Sequence, residues 1–212
     1  FAGVVSIDFH GECRQGQEGD AIAVALLSRL SDLAPVCFVN GNHEMCVERH
    51  QPERYQKFMD DLKNGGVQVL HNETAWFWID GEKVAVTGYE LPWEYYRRFS
   101  RRHPSVVGME RSIGKRKQDA YQILLTHNPV FFEEYTAWGA DFTFAGHLHG
   151  GFIRLPYFGG VISPQFQLFP KYDHGLYQMD TSSMVVGAGM GNHSGLFRIN
   201  NPTEIVTVRI KR

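Results

Sequence analysis

Cysteine is scarce in this chain of 212 residues: there are three, Cys13, Cys37 and Cys46. The count is odd and no pair has the CxxC spacing. Neither a disulfide framework nor a cysteine-type zinc site is expected, and the three read as small buried or half-buried residues. Long apolar runs are missing too. None approaches the roughly 18 residues that span a bilayer, and no signal-peptide pattern appears. There is no excess of positive charge either. Lys and Arg number 21 against 23 Asp and Glu, a net charge of -2, which speaks against a general nucleic-acid binder and confines any basic surface to a local patch. Repeats and low-complexity segments are absent. The first residue is Phe1, not Met, inside a strand-like run. Upstream residues are therefore expected, with a targeting or anchoring segment one reading of them, and localisation stays open between a membrane-associated and a cytoplasmic protein.

What remains is ordinary for a globular chain, with 43% hydrophobic and 21% charged residues. The length suits one domain over residues 1–212 and can bury a substantial core. Apolar runs end in polar residues with some regularity. Ala2–Ile7 leads to Asp8. Leucine periodicity predicts a helix over Ala21–Leu33, capped by Asp20 and stopped by Pro35. Val36–Val39 runs into Gly41–Asn42–His43–Glu44. A helix opens at Pro52 and closes at Gly65–Gly66. Strands are expected over Val67–Leu70, Thr74–Ile79 and Lys83–Tyr89, the last two a hairpin across Asp80–Gly81. Tyr121–Thr126 delivers His127, a helix follows around Phe131–Trp138, and Phe142–Ala145 delivers Gly146–His147–Leu148–His149–Gly150. Met184–Val186 and Glu204–Ile210 are expected to close the chain as strands. Strands alternating with helices argue for an α/β domain, whose sites form beyond the carboxyl ends of the strands.

Imidazole, carboxylate and amide oxygen are ligands for borderline or hard divalent cations. His147 and His149, two residues apart, can point one way only on a bent backbone, which Gly146, Gly150 and Gly151 permit. A single histidine is usually a surface or core residue. Here three separated histidine-bearing strand ends occur with an Asp and an Asn at equivalent places, so coincidence is a poor explanation. His50, His71 and His103 lack a strand-tip context and read as surface residues. Gly191–Asn192–His193 echoes Gly41–Asn42–His43, but a turn is the simpler reading.

The ordered set Asp8 … Gly41-Asn42-His43-Glu44 … His127 … Gly146-His147-Leu148-His149 resembles the calcineurin-like metallophosphoesterase superfamily over essentially the whole chain. The tail from Gly159 onward resembles a bacterial branch of phosphodiesterases that are often membrane-anchored. The resemblance implies a four-layer α/β/β/α sandwich. It implies a phosphoester hydrolase, most specifically a phosphodiesterase, that uses two divalent metal ions (Mn, Fe, Zn or Ni) bridged by a hydroxide. Two readings of the opening stretch stand. In one, Asp8–Phe9–His10 is the DxH motif. In the other, Asp8 is the acid of the GD motif and the first βα unit lies upstream. Only one loop and one helix separate Asp8 from Val36–Val39, which favours the second; Ile7, where the family has Gly, and the local match of Asp8–Phe9–His10 to DxH favour the first. On the second reading Asp8 bridges two metals, Asn42, His127 and His147 complete one metal's ligands, His149 binds the other, and that second site is incomplete in this chain. His43 is the implied general acid, with Glu44 orienting its ring. His43 also contacts substrate, and His174 lines the pocket.

Residues 91–118 interrupt the rhythm as a basic, aromatic insertion. Arg97, Arg98, Arg101, Arg102, Arg111, Lys115, Arg116 and Lys117 follow Trp93, Tyr95, Tyr96 and Phe99. One reading is a solvated helical insertion. The other is a cap that draws in a phosphate-bearing or membrane-surface substrate, with Phe152, Tyr157, Phe158, Phe166 and Phe169 as an apolar wall. An amphiphilic or lipid-linked phosphoester and a peripheral membrane contact suit that second reading. A catalytically impaired scaffold of the same fold and a nuclease are the alternatives, and no stable nucleic-acid partner is expected of a slightly acidic chain. Oligomeric state is not legible.

Overall fold

The computed structural model describes residues 2–3, 17–97, 102–151, 154–155, 159–160, 170–190 and 199–210. The elements run β1 (Ala2–Gly3), α1 (Gln17–Ser31), β2 (Val36–Phe38), α2 (Asn42–His50), α3 (Pro52–Asn64), β3 (Gln68–Val69), β4 (Thr74–Ile79), β5 (Glu82–Tyr89), α4 (Val106–Ile113), β6 (Tyr121–Thr126), α5 (Phe132–Trp138), β7 (Phe142–Ala145), β8 (Arg154–Leu155), β9 (Gly159–Gly160), β10 (Gly175–Met179) and β11 (Ser182–Val186). Single 3₁₀ turns at Trp93–Tyr96 and Pro129–Phe131 lead toward α4 and α5.

Period-two side-chain alternation gives each central strand two apolar faces. In β2, Val36 and Phe38 pack outward on α1 and α3, against Leu27, Met59 and Leu62. Cys37, with Val39 just beyond the strand, faces the other way, onto Val86, Ile123, Leu125 and Phe142 of the second sheet. In β6 the order inverts: Ile123 and Leu125 face the first sheet, while Leu124 meets Met109, Tyr135 and Trp138 beneath α4 and α5. Helices therefore cover two stacked sheets in an α/β/β/α arrangement. Each fully buried leucine in these layers contributes about 1.5–3 kcal/mol.

The smaller sheet is parallel, in the order β1-β2-β3. The larger has six strands in the order β10-β11-β7-β6-β5-β4. Its four inner strands are parallel, and an antiparallel hairpin partner closes each edge. The β4–β5 hairpin turns at Asp80 and Gly81, both with positive φ (51° and 84°), the signature of a type I′ turn.

Several expectations are corrected. Asp20 lies inside the first turn of α1, not at its cap, and accepts two hydrogen bonds from Arg54 of α3, at 2.6 and 2.9 Å. A helix not expected from the sequence, α2, begins at Asn42, and the Glu44 carboxylate accepts the Gly41 N–H at 2.7 Å. β10 was not expected. Residues 204–210 alternate like a strand, yet no strand is assigned there among the described residues; Ile205 is exposed, and Glu204 joins Gly189 through one backbone bond. Cys46 is disulfide-bonded, against the expectation from the odd count. Cys37 is free and buried, and burial pushes its thiol up to about 12. No helix among the described residues is long and apolar enough to cross a membrane.

Candidate metal centre

Parallel strands put their carboxyl ends at one rim. The described part of the site is built there from both sheets. After β2 the chain passes Asn40 and Gly41 and enters α2, so Asn42 and His43 occupy the first turn of a helix. β6 ends at Thr126 and presents His127, whose carbonyl accepts the Gly146 N–H at 3.0 Å and so ties the tips of β6 and β7 together. Beneath this turn, Tyr135 is fully buried and its hydroxyl donates to the Asn128 carbonyl at 2.7 Å.

Beyond β7 the backbone bends sharply. His147 and His149 themselves adopt left-handed φ of 63° and 49°, followed by Gly150 and Gly151 at 69° and 83°. The expectation laid that bend on the glycines; the histidines share it. Non-glycine residues held there are unfavourable and concentrate at functional sites. Leu148, fully buried, anchors the turn.

Asn42 Oδ1 lies 3.1 Å from His147 Nδ1, across the two sheets. The His127 and His147 rings are 4.9 Å apart, edge to face. His127 is 1% exposed and His147 7%, deeper than the intermediate burial usual for histidine. Two donors each about 2.1 Å from one cation and at a right angle would stand about 3.0 Å apart, so the Asn42–His147 spacing suits two ligands of one ion. An amide oxygen and two imidazoles are also a suitable donor set for a borderline divalent cation. Among the described residues no group of three or more His, Cys, Asp and Glu side chains is arranged to hold a metal. Asp8 and His10 lie outside the described residues, as do Arg98, Phe99, Arg101, Phe152, Tyr157, Phe158, Phe166, Phe169 and Gly191–Asn192–His193.

The other predicted residues are placed as follows. His149 is buried in the same turn, 6% exposed. His43 is half-buried on α2. Glu44 accepts the Gly41 N–H and so caps the helix that carries His43. His174 Nε2 lies 2.8 Å from the Glu204 carboxylate, and Glu204 Oε1 also accepts the Ala188 N–H at 2.7 Å. His50 and His103 are on the surface. His71 is not: it follows β3, is half-buried, and its Nδ1 donates to Glu90 Oε1 at 2.9 Å. That bond raises its pKa above the ordinary value, against a smaller opposing effect of burial.

Sequence reasoning did not single out two residues here. Tyr96 is buried with its ring 5.2 Å from His147 and 6.0 Å from His127. The aromatic lead-in to residues 97–117 was noticed, but nothing in it marks Tyr96 above Tyr95, which packs on Phe131 instead. Asn201 donates to the carbonyls of His149 and Gly151 from some 50 residues away, a contact without local signal. The basic segment is less available than its composition suggests: Arg102 pairs with Glu94 at 2.9 Å, and Arg116 pairs with Asp141 at 2.9 Å. Met109 and Ile113 put α4 in the helix layer.

Comparison with known proteins adds the following. The model of the calcineurin-like phosphoesterases matches residues 11–151. The chain is 30% identical to the uncharacterized metallophosphoesterase YkuE of Bacillus subtilis over 48% of this chain and 35% of that protein. It is 24% identical to the phosphodiesterase YaeI of Escherichia coli over 87% of this chain and 62% of that one. To the UDP-2,3-diacylglucosamine pyrophosphatase LpxG of Chlamydia muridarum it is 23% identical, over 99% and 60% respectively. The chain thus spans between about a third and three fifths of these relatives' lengths.

Proposed function

Because the chain belongs to the calcineurin-like phosphoesterases, a family that uses divalent metals, we propose that the protein hydrolyses phosphoesters, phosphodiesters above all, at the Asn42–His127–His147 cluster. The observation that carries this reading is the 3.1 Å approach of Asn42 Oδ1 to His147 Nδ1, because it joins the tips of two separate sheets through two donor atoms.

Asn42, His127 and His147, with Asp8, would hold one cation, and Asp8 with His149 would hold a second. Divalent ions bound there supply Lewis acidity toward the anionic phosphate oxygens and activation of water near neutral pH. The chain's own part is positional. Asn42 offers an oxygen without charge, which limits repulsion of an anionic substrate. The Gly146–His127 backbone bond and the Tyr135 hydroxyl, which donates to the Asn128 carbonyl, hold the backbone that carries the His127 ring. Tyr96 covers the His127 and His147 rings and keeps water from that side. His43, one residue past Asn42 in the same helical turn, donates a ring N–H proton to the departing alkoxide.

An amphiphilic substrate is the class we favour. One relative is named for a diacylated nucleotide sugar, and Trp93, 43% exposed, leads into Tyr96 with ring centroids 6.4 Å apart. Turnover of an aryl phosphodiester with added Mn²⁺ is the test. Activity that depends on Mn²⁺ and disappears with chelator is expected. A folded protein that binds Mn²⁺ and turns over no ester would mark it as a scaffold.

A further inference from the structure

We propose that Asn201 is the positioning residue of the His147–His149 turn, and that the segment carrying it sets the metal affinity of the site; this rests on the phosphoesterase reading above. The turn needs outside support. His147, His149, Gly150 and Gly151 all have φ between 49° and 83°, and two of them carry a Cβ that disfavours that backbone. Within the turn, Leu148 N–H bonds the Gly146 carbonyl and Gly151 N–H bonds the Leu148 carbonyl, each at 2.7 Å. The carbonyls of His149 and Gly151 are left pointing elsewhere, and Asn201 Nδ2 donates to both, to Gly151 at 2.8 Å. Two acceptor neighbours fix the orientation of the amide, since only its NH₂ end can serve them.

The fit is specific at Gly150. A Cβ there would come within 2.9 Å of Asn201 Oδ1, so the glycine admits the amide. Asn201 is 3% exposed, and the residues after it are fastened twice more to the same rim. Glu204 N–H bonds the Gly189 carbonyl at 3.2 Å, and the Glu204 carboxylate accepts from Ala188 N–H at 2.7 Å and lies 2.8 Å from His174. A Cβ at Gly189 would come to 3.7 Å from His149 Nδ1, so this glycine borders the ring. The clamp comes from beyond the residues that match the family model, which end at 151.

Wild type, Asn201→Ser and Asn201→Ala are titrated with Co²⁺ and followed by its visible absorption, with exposed Ile205→Ala as the control in the same segment. Amide hydrogen exchange is read in parallel. In Asn201→Ala the Co²⁺ Kd is expected to rise about 10–100-fold, the usual consequence of losing a group that orients metal ligands. Asn201→Ser, whose hydroxyl can donate to only one carbonyl, falls between. Exchange at Leu148 and Gly151 accelerates while residues 121–126 of β6 keep wild-type rates. On an aryl phosphodiester kcat falls and KM holds. Wild-type Co²⁺ affinity and wild-type exchange in Asn201→Ala would overturn the proposal, as would acceleration spread equally over β6. If Asn201→Ala does not fold, Asn201→Ser decides by the same measurements. Should wild type bind no Co²⁺ and cleave no ester, the functional reading falls, and exchange at 147–151 alone judges the clamp.

Discussion

His147 faces an amide oxygen and a second imidazole; His71 faces a carboxylate. Both stand just past the end of a parallel strand, and each cluster joins the two sheets. The His127 and His147 side chains are nearly sealed and Asn42 is half-buried, whereas the His71 side chain keeps 35% of its surface in water. In the second cluster Glu90 accepts from His71 and lies 3.4 Å from the Asn40 N–H, while Asn40 Nδ2 donates to the Tyr55 hydroxyl at 2.7 Å. The difference lies in the partner. A carboxylate stabilises imidazolium and so holds a proton on the ring. The described partner of His147 Nδ1 is the uncharged amide oxygen of Asn42, and a cation needs a ring nitrogen that carries no proton. Strand-tip position alone does not make a ligand: His71 stands at such a tip and is engaged by Glu90.

The sharpest way to break this contrast is to remove each ring in turn. His147→Ala is expected to weaken Mn²⁺ binding by more than about 100-fold, beyond the loss typical of a ligand's supporting groups, and to bring diester turnover to background. His71→Ala should keep wild-type affinity. Isothermal titration of both variants checks the pair. Equal losses would mean that the two clusters form one site.

His43 lies between these cases, beside a proposed ligand and half-exposed. With His43→Ala, metal content measured by atomic emission should match wild type. Turnover of an alkyl phosphodiester should fall by about 10²–10⁴, the usual worth of a general acid. With nitrophenolate as leaving group, which needs no proton, the fall should be much smaller. An equal loss on both esters would place His43 in binding rather than in proton transfer.

How far the sequence could be read follows from the same two clusters. Tyr121–Thr126 and Phe142–Ala145 are strands with the bounds expected of them, because each is an apolar run buried on both faces and ended by a ligand-type residue. The Asp80–Gly81 turn was legible because only residues tolerant of positive φ suit it. α2 carries little local signal because Asn42–His50 has no continuous apolar stripe and its cap, Gly41, has no side chain to complete a capping box with Glu44. The strand expected over Val67–Leu70 does lead to His71, but the Glu90 carboxylate that engages its ring is a tertiary partner with no local signal. Asp20 was placed at a cap because the leucine pattern begins after it, whereas Arg54 holds it within a longer helix. The Asn201 clamp is a tertiary contact, which no local pattern encodes.

The smallest effect expected, and the one that isolates the carboxylate, is on stability against pH. Hydrogen bonding to Glu90 raises the His71 pKa in the folded protein above the ordinary value of about 6.5. The folded state therefore holds the proton more tightly than the unfolded chain. The stabilisation is complete below about pH 6.5 and is lost as pH rises through the raised folded pKa. His71→Gln, which cannot be protonated, lacks it. The Tm of wild type should exceed that of His71→Gln by more at pH 6 than at pH 9. The difference between the two gaps should be about 1–3 °C, as suits a half-exposed pair in a chain of this size. A gap that stayed constant across that range would show that Glu90 does not hold a proton on His71, and the proposed distinction between the two clusters would lose its electrostatic basis.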